Sequence, residues 1–157
     1  MTASNSPTTT DASASSAGGR WITARTGAAS YRTDISAGGH DVVADEPASN
    51  GDSDGPSPYE LLLSAIGACT AMTMRMYATR KQWPLEEVTV RLRSGRRHAE
   101  DCANCERQAV GIQQIERQVE MKGDLTDEQR ERLLYIADRC PVKQTLERGI
   151  KVVPAES

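Results

Sequence analysis

The chain has 157 residues, 38% hydrophobic and 26% charged, with a formal net charge of -3, a composition that fits one folded domain. It lacks the strongly basic balance with which proteins neutralise nucleic-acid phosphates. Its longest apolar run, Leu61 to Met74, falls short of the ~18 residues needed to cross a bilayer, so neither nucleic acid nor membrane is expected as a partner.

Residues 1–19, MTASNSPTTTDASASSAGG, are almost entirely small and polar. They bury too little apolar surface to offset the entropy of ordering them, and a disordered tail is expected, followed by one domain over 20–157. The tail has neither the basic start nor the apolar stretch of ~7 to 15 residues of a secretory signal. A cytoplasmic protein is therefore expected.

From Arg20 to Asp45 three short segments carry Trp21, Ile22, Tyr31, Ile35, Val42 and Val43, broken at GAAS and AGGH. Glycine breaks at this spacing predict an antiparallel meander. A polar loop then leads to Ser57, Pro58 and Glu60, which combine an N-cap serine, proline at the first helical position and the glutamate of a capping box. The helix that starts there runs through YELLLSAIGACTAMTMRMYATRK until Trp83 and Pro84. Its apolar residues cover nearly the whole circumference as far as Met74, which predicts a central helix covered on several sides. Met72, Met74 and Met76 alternate along it and suit core filling and dimer contact.

Val88, Val90 and Leu92, and then Ile115, Arg117, Val119 and Met121, alternate with polar residues, the period of two half-buried strands. A second capping box, Thr126 with Gln129, opens a helix whose stripe is Leu133, Leu134, Ile136, Ala137 and Cys140. Pro141 cannot continue that helix but can start another, with Val142 and Leu146 facing inward and Gly149 as its stop. IKVV, at 150–153, reads as a closing strand, and the order of elements predicts an α+β fold.

Four cysteines carry the chemical interest: Cys69, Cys102, Cys105 and Cys140. At the start of a helix opened by Pro141, Cys140 would meet free backbone N–H groups and the positive end of the helix dipole. Both favour a thiolate with a pKa below the free-thiol value of ~8.5. Arg139 and Lys143 would add positive potential if they face it. The same position also continues the apolar stripe as a small buried hydrophobe, and spacing leaves both readings open. Cys69 lies inside the apolar helix, ordinarily a core position. Its small neighbours, Ser64, Ala65, Gly67, Ala68, Thr70 and Ala71, admit close approach of another backbone or of a substrate. Cys102-x-x-Cys105 with His98 offers donors suited to zinc, but a tetrahedral site needs a fourth ligand. No metal and no cofactor are assigned.

The stretch DEPASNGDSDGPSPYELLLSAIGACTAMTMRMYA, followed by IADRCPVKQTLE, resembles the OsmC/Ohr family of thiol-dependent hydroperoxide reductases, in its OsmC-like branch, from roughly Arg25 to Val153. The resemblance implies an OsmC-like α+β fold with antiparallel sheets around two central helices in an intertwined homodimer. It implies a peroxiredoxin-like peroxidase of oxidative-stress defence. Cys69 would attack a hydroperoxide and become a sulfenic acid, Cys140 would resolve it as a disulfide, and an external dithiol would reset the pair.

The family also uses an arginine from the N-terminal half, oriented by a glutamate near the start of the cysteine helix. No arginine lies between Asp34 and Glu60 here, so Arg32 is the positional candidate and Arg25 the second. Glu60 stands one residue further from the proline than in organic hydroperoxide resistance proteins. Leu62, Ile66 and Met72 would give the site an apolar surround suited to organic peroxides. The rival readings are a non-enzymatic module that binds an apolar ligand or a partner, a thiol redox sensor, and an accessory domain stapled by metal at Cys102 and Cys105.

Overall fold

A computed structural model describes residues 20–46, 53–95 and 114–155. The expected tail and the His98, Cys102 and Cys105 motif lie outside the described residues.

The meander is present as β1 (Thr23–Thr26), β2 (Thr33–Ala37) and β3 (His40–Ala44), an antiparallel sheet in that order. Gly38 and Gly39 form the two-residue turn between β2 and β3 with φ of 62° and 87°. Such turns need positive φ at both central residues, a backbone that glycine adopts without strain. After β3 the chain folds back on itself, with Asp45 N–H donating to Pro56 O at 3.1 Å and the Asp45 carboxylate accepting Asp54 N–H at 3.1 Å.

Helix α1 spans Pro58–Lys81 and starts at the predicted capping box, where Ser57 Oγ accepts Glu60 N–H and the Glu60 carboxylate accepts Ser57 N–H. It ends through Gln82 in the left-handed region, φ 55°, with Trp83 N–H closing on Ala78 O at 2.9 Å. The Arg75 guanidinium, reaching out from α1, donates to Leu85 O and Glu86 O and pins the connection that follows.

Strands β4 (Glu87–Gly95) and β5 (Gln114–Lys122) pair antiparallel with Val90 opposite Val119. Along β5 the predicted inward set, Ile115, Arg117, Val119 and Met121, is half-buried while its neighbours are exposed. The capping box at Thr126 opens α2 (Asp127–Ala137), and α3 (Pro141–Arg148) starts at the proline and stops at Gly149. The core is closed by Met74 and Ala78 of α1, Leu85, Leu125, and Leu133 and Ala137 of α2, with Trp83, Val88, Val119 and Met121 packed against it. Gly67 lets the sheet come close to α1, because a Cβ there would stand 3.0 Å from Leu92 Cδ1.

The structure corrects four expectations. Among the described residues of one chain, helix α1 is covered on a single side, since its buried residues, Ile66, Gly67, Thr70, Met74 and Ala78, recur at the spacing of one helical face. Ser64, Ala65, Ala68, Met72 and Met76 are exposed on the opposite side. The helix has the bounds read from the sequence, but by length and composition alone it reaches the membrane-spanning size that the run from Leu61 to Met74 fell short of; β4, α2 and α3 pack against it. Residues 150–153 form no strand and lie exposed, for no described strand pairs with them. In α2, Leu133 and Ala137 are buried but Leu134 is exposed, because consecutive residues on a helix point about 100° apart.

Candidate active site

Two segments distant in sequence meet where α3 begins. Pro141 occupies the first helical position, so Cys140 becomes the N-cap of α3 and the N–H groups of Val142 and Lys143 have no partner inside the helix. Cys140 has no exposed surface within the chain, and its Sγ lies 3.9 Å from Ile66 O, one turn before Cys69 on α1. Cys69 is partly exposed. Each thiol acts on the ionisation of the other, and Val142 N–H favours the charged form of both. Both cysteines are free.

The surroundings treat the two sulfurs differently. Burial pushes the Cys69 thiol above the ordinary thiol value; Val142 N–H opposes this, while the adjoining Cys140 adds to it. Burial also acts to raise Cys140, but Lys143 N–H, the Cys69 thiol, the Thr70 hydroxyl and Val142 N–H together outweigh it and hold Cys140 below that value. The difference is a difference in donors, since hydrogen bonds to the charged form favour ionisation. Thr73 sits next to Cys69, but its hydroxyl donates to Cys69 O at 2.7 Å. Of the two, the enclosed Cys140 sulfur therefore gives up its proton more readily, and the partly exposed Cys69 holds its proton longer.

A cavity of about 620 Å³ shares Ile66 with the Cys140 contact and is lined by Leu62, Ile66, Leu92, Ile115 and Leu146 together with the polar Gln114, Arg117, Lys143 and Glu147. Leu62 and Ile66 of the expected apolar surround line this cavity, which neither cysteine lines. Met72 is not among the lining residues and is largely exposed. Lys143 pairs with Glu147 at 2.8 Å, and Arg117 donates to Ala137 O at 3.0 Å and to the Asp138 carboxylate at 2.8 Å. Arg139 turns away to stack on Tyr135.

The other predicted site residues are not brought to the sulfurs within one chain. Arg32 is held by Asp34 and Asp54, each at 3.0 Å, and Arg25 is exposed on β1. The Glu60 carboxylate is engaged in its capping box, where the bond from Ser57 N–H holds its pKa below the ordinary value. Sequence reasoning missed Thr70 and Arg117. Thr70 read as one of several small neighbours of Cys69, although a hydroxyl on the buried face of an apolar helix was a signal. Arg117 read as a strand residue, although a cation in an inward-facing register was the sign.

Residues 51–154 match the family model of OsmC-like proteins, and no match is found among curated proteins. Among solved structures, an OsmC-like protein from Mycoplasma pneumoniae is similar over 84% of this chain and 89% of its own, with 19% identity and a TM-score of 0.68. The organic hydroperoxide resistance protein OhrB of Bacillus subtilis is similar over 79% and 87%, with 19% identity and a TM-score of 0.53. An organic hydroperoxide resistance protein OsmC from Legionella pneumophila is similar over 82% and 89%, with 16% identity and a TM-score of 0.54. At these identities the likeness is one of fold.

Proposed function

The chain belongs to the OsmC-like protein family, and from that premise we propose that it is a thiol-dependent peroxidase that reduces organic hydroperoxides, and hydrogen peroxide less readily. The observation that carries this reading is the pair of reduced sulfurs meeting over the free N–H groups at the start of α3, one reachable from solvent and the other enclosed.

Accessibility assigns the attack to Cys69, and charge assigns the internal base to Cys140. Cys69 passes its proton to the Cys140 thiolate and attacks the distal peroxide oxygen. The O–O bond breaks, Cys69 becomes a sulfenic acid, and the departing alkoxide takes the proton from Cys140 to leave as alcohol. The restored Cys140 thiolate then attacks the sulfenic sulfur. A disulfide forms, and hydroxide leaves and is protonated to water. An external dithiol returns both sulfurs to thiols and is itself oxidised to a disulfide. The apolar cavity favours a peroxide with a hydrocarbon body.

Peroxide consumption with a dithiol reductant tests the reading. Cys69→Ser should abolish turnover, whereas Cys140→Ser should form one sulfenic acid and stall. Both variants matching the parent protein would end the assignment. Cumene hydroperoxide should be consumed faster than hydrogen peroxide; equal rates would remove the role given to the cavity. The same cavity supports a second reading, a non-enzymatic module holding an apolar ligand, and this reading gains if an apolar fluorescent probe binds while no peroxide is consumed.

We further propose that the protein is a homodimer. Met72 and Met76 lie exposed along the uncovered face of α1, at 63% and 71%, and Trp21 is 83% exposed beside the first sheet. Arg32 or Arg25 would then approach the thiols from the second copy. Light scattering on the purified chain should give twice the monomer mass.

A further inference from the structure

Among the described residues, the Thr70 hydroxyl is a buried side-chain oxygen without a hydrogen-bond partner. Thr70 is fully enclosed and follows Cys69 on the face of α1 that meets the start of α3. Valine would fill the same volume without burying a hydroxyl, so packing alone gives no reason for threonine here. The Cys140 sulfur lies 3.9 Å from Ile66 O, one turn before Thr70 on the same buried face of α1, yet the Thr70 hydroxyl makes no bond. The approach of Cys140 Sγ to Ile66 O engages the thiol proton, which is gone once the sulfur ionises.

We propose that Thr70 is a positioning residue for Cys140: its O–H turns onto the sulfur when the sulfur gives up its proton, and holds the thiolate toward Cys69. A hydroxyl proton rotates freely about its C–O bond, so the donor can stay idle toward the thiol and engage the anion. The inference rests on the proposed peroxidase reading only for its consequence, the closing step. There the Cys140 thiolate forms the S–S bond with the Cys69 sulfenic acid as hydroxide leaves to become water. The charged groups around the sulfur leave room for such a donor. Lys143 of α3 is paired with Glu147 and Asp138, and Arg117 of β5 with Asp138. From α1, Cys69 is the titratable neighbour.

The test reads ionisation rather than turnover. Ultraviolet thiolate absorbance is followed against pH in a Cys69→Ser, Cys102→Ser, Cys105→Ser background, where Cys140 is the remaining thiol. Thr70→Val should shift the curve upward by about one pH unit, roughly tenfold less thiolate at a pH below both midpoints, and Thr70→Ser should restore the parent curve. Coincident curves for threonine and valine would overturn the proposal. Thr70→Ala gives the same reading should valine not be accommodated, and an unshifted curve there overturns it equally. Failure of the chain with native cysteines to consume peroxide would remove the peroxidase reading while the ionisation curves still judge Thr70. Normal turnover beside coincident curves would remove the Thr70 assignment alone.

Discussion

The half of the molecule built from α1, β4, β5 and α2 encloses a set of apolar residues, whereas the β1–β3 sheet encloses almost none. Met74, Leu133, Ala78 and Ala137 have essentially no exposed surface, while the sheet buries only Ala44 and leaves Val42 exposed, with Trp21 and Tyr31 exposed beside it. Both halves have regular hydrogen-bonded strands, so pairing is not what separates them. The difference lies in the third dimension. A sheet needs a hydrophobic face covered by something, and β4 and β5 have α1 and α2 against them. The first sheet is tied to the rest of its chain at the loop before α1, through Asp45 to Pro56 and Arg32 to Asp54. In the proposed homodimer its exposed apolar residues would meet the second copy.

The largest expected effect lies in the self-sufficient half. Leu133→Ala removes a fully enclosed side chain and should lower unfolding stability by about 2 to 5 kcal/mol, read from the denaturant midpoint at constant slope. Ile35→Ala in β2 sharpens the contrast. It should cost under about 1 kcal/mol at protein concentrations where the chain is monomeric and clearly more where it is dimeric. A loss as large as that of Leu133→Ala in the monomer would break the comparison.

A smaller effect belongs to the helix starts. Ser57→Ala and Thr126→Ala each remove a side-chain acceptor for a helical N–H and should cost about 1 kcal/mol, measured by thermal unfolding. The smallest concerns Glu60, whose carboxyl is held below the ordinary carboxylate range by its hydrogen bonds with Ser57. The unfolded chain binds the proton first as pH falls, so this contribution is present above the unfolded value and fades as pH drops through the folded one. Glu60→Gln should flatten stability against pH in that acid window and leave neutral pH nearly unchanged. An unaltered acid profile would show that the capping box does not depend on the carboxylate charge.

Local chemistry was legible in the residues themselves. The capping boxes at Ser57 and Thr126, the glycine turn at Gly38 and Gly39, the alternation along β5 and the break at Pro141 all depend on residues within a few positions of each other, and each appears where it was read. The placement of Cys140 at a helix start was legible for the same reason. The exposure of one side of α1 and the unpaired 150–153 segment were not, because covering a face or pairing a strand depends on segments far away in the chain.

The sequence by itself determined where the three helices start, where the β2–β3 turn falls, how β5 alternates, and that a thiol would cap α3, since capping, turn chemistry and periodicity act between near neighbours. Tertiary structure alone decided that this thiol would meet Cys69, that Thr70 would face it with an idle hydroxyl, and that Arg117 and Lys143 would border an apolar cavity. Those outcomes follow from packing α3 and the β4–β5 sheet against α1, and a through-space contact between distant segments has no signature in the spacing of either one.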